Sequence, residues 1–311
     1  MTESELRSLV ALLDDDDPEV LKHIEEKILE LGAPIIPFLE NEWGVMKDIY
    51  HQQKVENIIH QIQYNDLFES FVTWYKSGEQ DLLHGVYLIA KYRFPELQKQ
   101  QIVNSIEKLR LDVWLEMNYD LSPYEKVRII NYILYQVHGF KGNVDNYHDP
   151  KNSFINEVLE SKRGNPILLA VIYILIAQKL NIPIYGVNLP QHFVLAYMEE
   201  IGKSHGEMKF NEIEKLLNQE GKIIFYINAF NNGAIFTKVN LEQFLSQIKI
   251  EPKLDFLKPC SNLDIVKRVL RNLASSYEKL GKLQKQKEIQ QLLFALGEPT
   301  IGSFHDVNEE E

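Results

Sequence analysis

Asn165-Pro166-Ile167-Leu168-Leu169-Ala170-Val171-Ile172-Tyr173-Ile174-Leu175-Ile176-Ala177 is the stretch on which the fold turns. Asn165 followed by Pro166 is the grammar of a helix start: a capping side chain, then a residue whose fixed φ suits the first helical position and whose missing N–H costs nothing there. The run from Ile167 to Ala177 is apolar throughout, but it is too short for the roughly 20 residues a bilayer requires. It predicts a helix buried on every side in the middle of a domain, reaching about Leu180, where Asn181-Ile182-Pro183 stops it.

Downstream, residues 184–189, 193–198 and 223–227 are short and rich in β-branched and aromatic side chains, the composition of strands. A central helix beside short strands makes this part α+β. Residues 201–222 are polar, with an amphipathic helix expected around Phe210, Ile213, Leu216 and Leu217. Upstream, Lys141 to Pro150 is rich in Gly, Asn and Asp and predicts an ordered loop. Ser122-Pro123-Tyr124-Glu125 is a capping box that opens a helix expected to bury Val127, Ile130, Ile133, Leu134 and Val137 before Gly139.

The beginning of the chain reads as helix after helix. Thr2 and Glu5 have capping-box spacing ahead of Leu6, Leu9, Val10 and Leu13; Asp17-Pro18 starts a second helix that Gly32 ends. Leu9-x-x-Leu12-Leu13, Asp17-Pro18-x-Val20 and Ile36-Pro37-x-Leu39 resemble one HEAT-type unit. Further helices are expected around Leu67 to Tyr75, around Leu82 to Ala90, and from beyond Pro95 towards Met117. At the other end, Val266, Val269, Leu270, Leu273 and Tyr277, then Gly281, then Ile289, Leu292, Leu293 and Leu296 predict a helical hairpin that looks like a single tetratricopeptide-type unit. The expected divisions are 1–121, helical and HEAT-like; 122–255, the α+β core; 256–299, the tetratricopeptide-like helices; and 300–311, an acidic tail expected to fray.

The 311 residues are 45% hydrophobic, enough for real cores, with Lys+Arg 33 against Asp+Glu 45 and a net charge of −12. That sign opposes attraction to a phosphate backbone or an anionic membrane, so neither nucleic acid nor membrane is expected as a partner. Met1 to Glu5 lacks the basic and apolar pattern of a leader, and the single Cys260 cannot form an internal disulfide, which together predict a cytoplasmic protein.

Asn152-Ser153, then Val158-Leu159, Arg163-Gly164-Asn165-Pro166-Ile167, Leu180-Asn181-Ile182-Pro183, Gly186-Val187 and Leu189-Pro190-Gln191-His192-Phe193 form one set. The set resembles the bacterial transglutaminase-like family sometimes called SirB-type, whose core sits beside tetratricopeptide-like helices. The likeness is close over 147–235. It implies a papain-like α+β core with a cysteine at the start of the central helix, a histidine on a following strand and an aspartate or asparagine on the next. A helix N-terminus and an imidazolium lower a thiol's pKa, the histidine exchanges the proton, and the third group fixes the ring. Carried over, the histidine is His192, the third position is Asn228, and the nucleophile position falls on Pro166. Close relatives also have Gly-x-Pro here, as the resemblance implies, and often Asp-Pro-Phe where this chain has Asn228-Ala229-Phe230.

Proline has no nucleophilic atom, so the thiol reaction cannot run at Pro166. The bland reading stands beside this one: Asn165-Pro166 is also an ordinary helix start, and His192 also an ordinary strand residue after a proline. Ser153 and Ser161 are possible replacement nucleophiles, though Ser153 follows Asn152 at a cap position. Cys260 reads as an unreactive thiol. No His-x-x-x-His, Cys-x-x-Cys or phosphate-loop spacing is present, and the acidic run Asp14 to Asp17 lacks alternating ligand spacing, so no metal and no cofactor are expected.

The expected function is therefore a non-catalytic transglutaminase-like protein, a pseudoenzyme that binds a protein or peptide. Its groove would be lined by Asn152, Ser153, Arg163, Asn165 and Gln191, with His192 and Asn228 as vestigial triad positions. The competing expectation is a hydrolase or amidase using His192 with Ser153 or an activated water. A scaffold acting through its helical faces is the third. Oligomeric state is not legible.

Overall fold

A computed structural model describes residues 2–15, 17–118, 120–199, 223–247, 249, 251 and 254–299. Packing divides the chain into two compact units, Met1–Val72 and Thr73–Glu311. This division lies inside the helical stretch 1–121 of the sequence reading.

The first unit is helical. α1 (Glu3–Ala11) opens on the Thr2/Glu5 capping box, and α2 (Pro18–Leu31) on Asp17, whose carboxylate accepts from the Glu19 N–H at 2.9 Å. Gly32 ends α2 with a φ of 65°, a conformation that suits a residue without Cβ. α3 (Ile36–Val45) and the start of α4 (Ile49–Lys76) follow. Leu9, Val10, Leu13, Ile24, Ile28, Leu39, Val55, Ile58 and Ile62 share one core.

The second unit is mostly helical with a small antiparallel sheet. α5 (Leu82–Lys91), α6 (Lys99–Glu116) and α7 (Pro123–Asn131) lead to the loop at 141–150. α8 (Ile155–Ser161) and α9 (Pro166–Lys179) follow it, and two-residue strands β1 (Lys141–Gly142), ahead of α8, and β2 (Arg163–Gly164), between the two helices, pair in parallel. The sheet runs β3 (Ile184–Leu189), β4 (His192–Met198), β5 (Ile223–Asn228), β6 (Ala234–Phe236), in that spatial order, all antiparallel. α10 (Lys238–Gln247), α11 (Leu254–Leu257) and the hairpin α12 (Asn262–Lys279) with α13 (Leu283–Ala295) complete the unit.

Every residue of α9 from Ile167 to Ala177 is buried. At about 1.5–3 kcal/mol for each large apolar side chain removed from water, this helix is the main anchor of the unit. It packs on β3 and β4. Gly281 turns the α12–α13 hairpin with a φ of 68°. Among the described residues no helix is long and apolar enough to cross a membrane.

Val137 was expected inside and is 53% exposed, whereas Tyr135 is buried. The helix changes to a π-helical turn over Tyr132–Val137, which rotates the side chains that follow out of 3.6-residue phase. β6 and α10 were not foreseen; the first is three residues long and the second has only Leu241 and Leu245 fully buried. The helix expected around Phe210 to Leu217 and the tail 300–311 lie outside the described residues.

Candidate functional site

The start of α9 is built from amides. Asn165 is its cap: the side-chain Oδ1 accepts from the Leu168 N–H at 2.9 Å, and Pro166 occupies the first helical position. Asn165 Nδ2 donates to Ser153 Oγ at 3.3 Å, with the two residues only 5% and 2% exposed. Pro166 itself is half-buried. Asn152 is equally internal. Its Oδ1 accepts from Asn143 Nδ2 at 2.8 Å, and its Nδ2 donates to the Asn146 and Tyr147 carbonyls at 2.7 and 3.1 Å, which fixes the loop 141–150. These buried polar groups are satisfied by one another, as the low-dielectric interior demands. Ser161, exposed, donates to the Glu157 carbonyl at 2.7 Å.

His192 opens β4 at the tip of the β3–β4 hairpin, directly across from Leu189, and is exposed. Its ring meets Phe244 of α10 edge-on, with centroids 4.6 Å apart. Among the described residues it makes no side-chain hydrogen bond to a serine, cysteine or carboxylate. Strand alternation explains this. Val194, Ala196 and Tyr226 share a core with Leu241 and Leu245 of α10, and His192 has the parity of Val194 and Ala196. Tyr197, of the opposite parity, lies close enough to Tyr173 of α9 to perturb its phenol. His192 therefore stands on the α10 face of the sheet, whereas α9 packs on the other. Burial, and then the nearby Arg268, lower its pKa from the usual imidazole value.

Asn228 ends β5 on the same face by parity, but its Oδ1 is engaged locally, accepting from the Phe230 and Asn231 N–H groups at 3.1 and 3.2 Å. This Asx-type turn is locked from α7 and the π-helical turn that follows it: Asn131 Nδ2 donates to the Gly233 carbonyl at 2.8 Å and the Tyr135 hydroxyl to the Ala229 carbonyl at 2.9 Å. A Cβ on Gly233 would lie 1.9 Å from Asn131 Oδ1, so only glycine fits there. Arg163 is partly exposed and 3.9 Å from Asp145, an ion pair of little energetic weight. Gln191 is exposed at the hairpin tip with a φ of 60°.

The structure thus brings Ser153 and Asn165 into contact, sets Gln191 and His192 side by side at the hairpin tip, keeps Arg163 beside the 141–150 loop, and leaves Asn228 in its own turn. Four residues were missed from sequence. Arg268 on α12 reaches the hairpin, its Nη1 donating to Asn188 Oδ1 at 3.2 Å and to the Leu189 carbonyl at 3.4 Å. Phe244 carries the His192 ring. Phe230 fills the space above Gly142, where a Cβ would come within 2.5 Å of its ring, and Tyr147 packs edge-on against Phe230 at 5.9 Å. The Ala229-Phe230 pair had a signal, since aromatic residues after a strand and a glycine in the facing loop suggest close packing. Arg268 had none beyond being a cation on an otherwise amphipathic helix.

Cys260 offers no substitute thiol. Its backbone N–H donates to the Gly186 carbonyl at 2.8 Å, and burial, with Asp264 adding to it, pushes the thiol up to about 12. Among the described residues no group of three or more His, Cys, Asp or Glu comes together to hold a metal ion.

Comparison with known proteins places these observations. A UPF0162 protein of Xylella fastidiosa is 31% identical over 211 residues, covering 63% of this chain and 64% of that one. A UPF0162 protein of Vibrio cholerae is 25% identical over 201 residues, covering 63% and 66%. F-box only protein 21 of Mus musculus is 27% identical over 164 residues, covering 53% of this chain and 23% of its own length. The chain thus spans just under two thirds of the length of the UPF0162 relatives. No solved structure matches it. A family model for the transglutaminase-like superfamily matches residues 100–271, more than half of the chain and the whole of the region just described, and the chain belongs to that superfamily.

Proposed function

We propose that this protein is a non-catalytic transglutaminase-like module that binds a protein or peptide segment at the rim formed by the β3–β4 hairpin tip and the 141–150 loop. One observation carries the reading. At the helix start where the superfamily's nucleophile would stand there is Pro166, and the polar side chains beside it, Asn165 and Ser153, are buried and bonded to each other. What the site offers to solvent is recognition chemistry: Gln191, His192, Arg163 and Tyr147, which is 44% exposed. Within the superfamily, the Arg163-Gly164-Asn165-Pro166 and Pro190-Gln191-His192-Phe193 segments favour the bacterial SirB-type branch, and with it a cytoplasmic protein in which HEAT-like and tetratricopeptide-like helices flank a papain-like core.

The test pairs a binding screen with an activity screen on the full chain. A peptide array should yield binders that Gln191→Ala and His192→Ala weaken at least several-fold. Labelling with fluorophosphonate and iodoacetamide, run beside peptide amide and ester substrates, should give no turnover. Turnover that disappears in His192→Ala, or fluorophosphonate bound at Ser153, would overturn the proposal in favour of a hydrolase or amidase.

A further inference from the structure

Arg268 is half-buried, and its guanidinium has no acidic partner among the described residues. Two of its N–H contacts go to neutral acceptors, Asn188 Oδ1 and the Leu189 carbonyl, both through Nη1. Nε and Nη2 make no hydrogen bond among the described residues. Arg271, Tyr147 and Cys260 act on it and His192 feels its charge in turn, and no carboxylate is among these groups. Partial burial weakens the hydration of this guanidinium and lowers its pKa, so an anion that completed the fork would be held more strongly than at an open surface.

One turn along the same helix the molecule shows the completed form. Arg271 holds Glu298 with both arms of its fork, Nε to Oε2 at 3.3 Å and Nη2 to Oε1. Arg268 presents the same planar fork with one edge unoccupied, which is the geometry that matches a carboxylate bidentately. Arg268 is itself partly exposed, and Gln191, His192 and Tyr147 around the hairpin tip are exposed.

We infer that Arg268 anchors a subsite for a carboxylate, that of an acidic peptide side chain, at the tip of the β3–β4 hairpin. The inference rests on the peptide-binding reading above and names the chemistry of its ligand. Two sources could supply it: a peptide from another protein, or the acidic sequence that follows Glu298 in this chain, which contains Asp306, Glu309, Glu310 and Glu311.

The experiment titrates the full chain with an acetylated Glu-rich decapeptide, with its Gln counterpart and with N-acetylglutamate, following the Arg268 Nε–Hε and His192 ring resonances by NMR. The Glu peptide should shift both resonances and raise the apparent pKa of His192, because an anion offsets the neighbouring guanidinium. Arg268→Gln should weaken that peptide by about tenfold or more, and Arg268→Lys, which keeps charge but not the fork, by less. Neutralising Asp306, Glu309, Glu310 and Glu311 to their amides separates the sources. Tighter binding of the added Glu peptide then assigns the site to the chain's own acids, and unchanged binding assigns it to a peptide in trans. Equal binding of the Glu and Gln peptides, or Glu-peptide binding untouched by Arg268→Gln in a variant whose melting is unchanged, overturns the carboxylate site and leaves the peptide-binding reading standing. No binding of either peptide and no shift at Arg268 overturns the carboxylate site, whatever other peptides the array finds.

Discussion

Two helices of the second unit begin with the same two-residue grammar, and their surroundings make them different objects. At Ser122-Pro123 the cap is exposed: Ser122 Oγ accepts from the Glu125 N–H at 3.3 Å, and Glu125 returns a bond to the Ser122 N–H at 2.8 Å. At Asn165-Pro166 the cap is buried, the second arm of the side chain holds Ser153, and the helix behind it is the core of the unit. A helix N-terminus is a local device. Whether it becomes an energetic keystone, or a place where chemistry could happen, depends on what is folded around it.

The largest effect is expected from returning a nucleophile to the start of α9. In Pro166→Cys the new thiol stands at a helix N-terminus on a half-buried surface, where a lowered pKa is expected, while Cys260 in the same molecule is pushed up to about 12. Iodoacetamide at pH 8 should label the residue at 166 on the order of a thousandfold faster than Cys260, read by peptide mass spectrometry. No amidase turnover should accompany it, because His192 faces Phe244 on the other side of the sheet. Equal labelling of the two sites would show that the helix start does not activate a thiol.

Next in size is the cap itself. Asn165→Ala removes the bond to Leu168 and leaves Ser153 buried without its partner, so about 2–3 kcal/mol should be lost in urea unfolding followed by a probe of the second unit. Ser122→Ala, exposed, should lose only about 1 kcal/mol in the same measurement. Similar losses at the two caps would mean that burial adds nothing.

The smallest effect is electrostatic. The lowered pKa of His192 means that the unfolded chain takes up its proton first as pH falls, so this residue subtracts stability below the usual imidazole pKa of roughly 6.5 and is neutral to stability above it. Arg268→Gln should move the His192 pKa part of the way back up, measured by NMR titration. It should not restore it fully, since burial is the larger cause.

Much of this could be read from residues alone, for a physical reason. The capping boxes at Thr2 and Ser122, the Asn165 cap and the 3.6-residue patterns are local, set within one or two turns of chain. The superfamily was legible too, because its motifs are short runs around one helix start and one strand. The π-helical turn at Tyr132–Val137 was not, since a slip of helical phase leaves no mark in composition, and it is held by contacts to residues about 100 positions away, such as Asn131 to Gly233.

That α9 is a buried helix with no nucleophile at its start follows from its residues alone, because a proline cannot attack whatever surrounds it. Only the tertiary structure decided the rest of the site. Which face His192 occupies depends on the register of β3, β4 and β5, and a shift of one residue would reverse it. Whether Asn165 and Ser153 are ligands or struts depends on burial, and whether Arg268 belongs to the site depends on α12 returning to the hairpin some 80 residues along the chain. These are sums over distant contacts, and no window of sequence contains both of their ends.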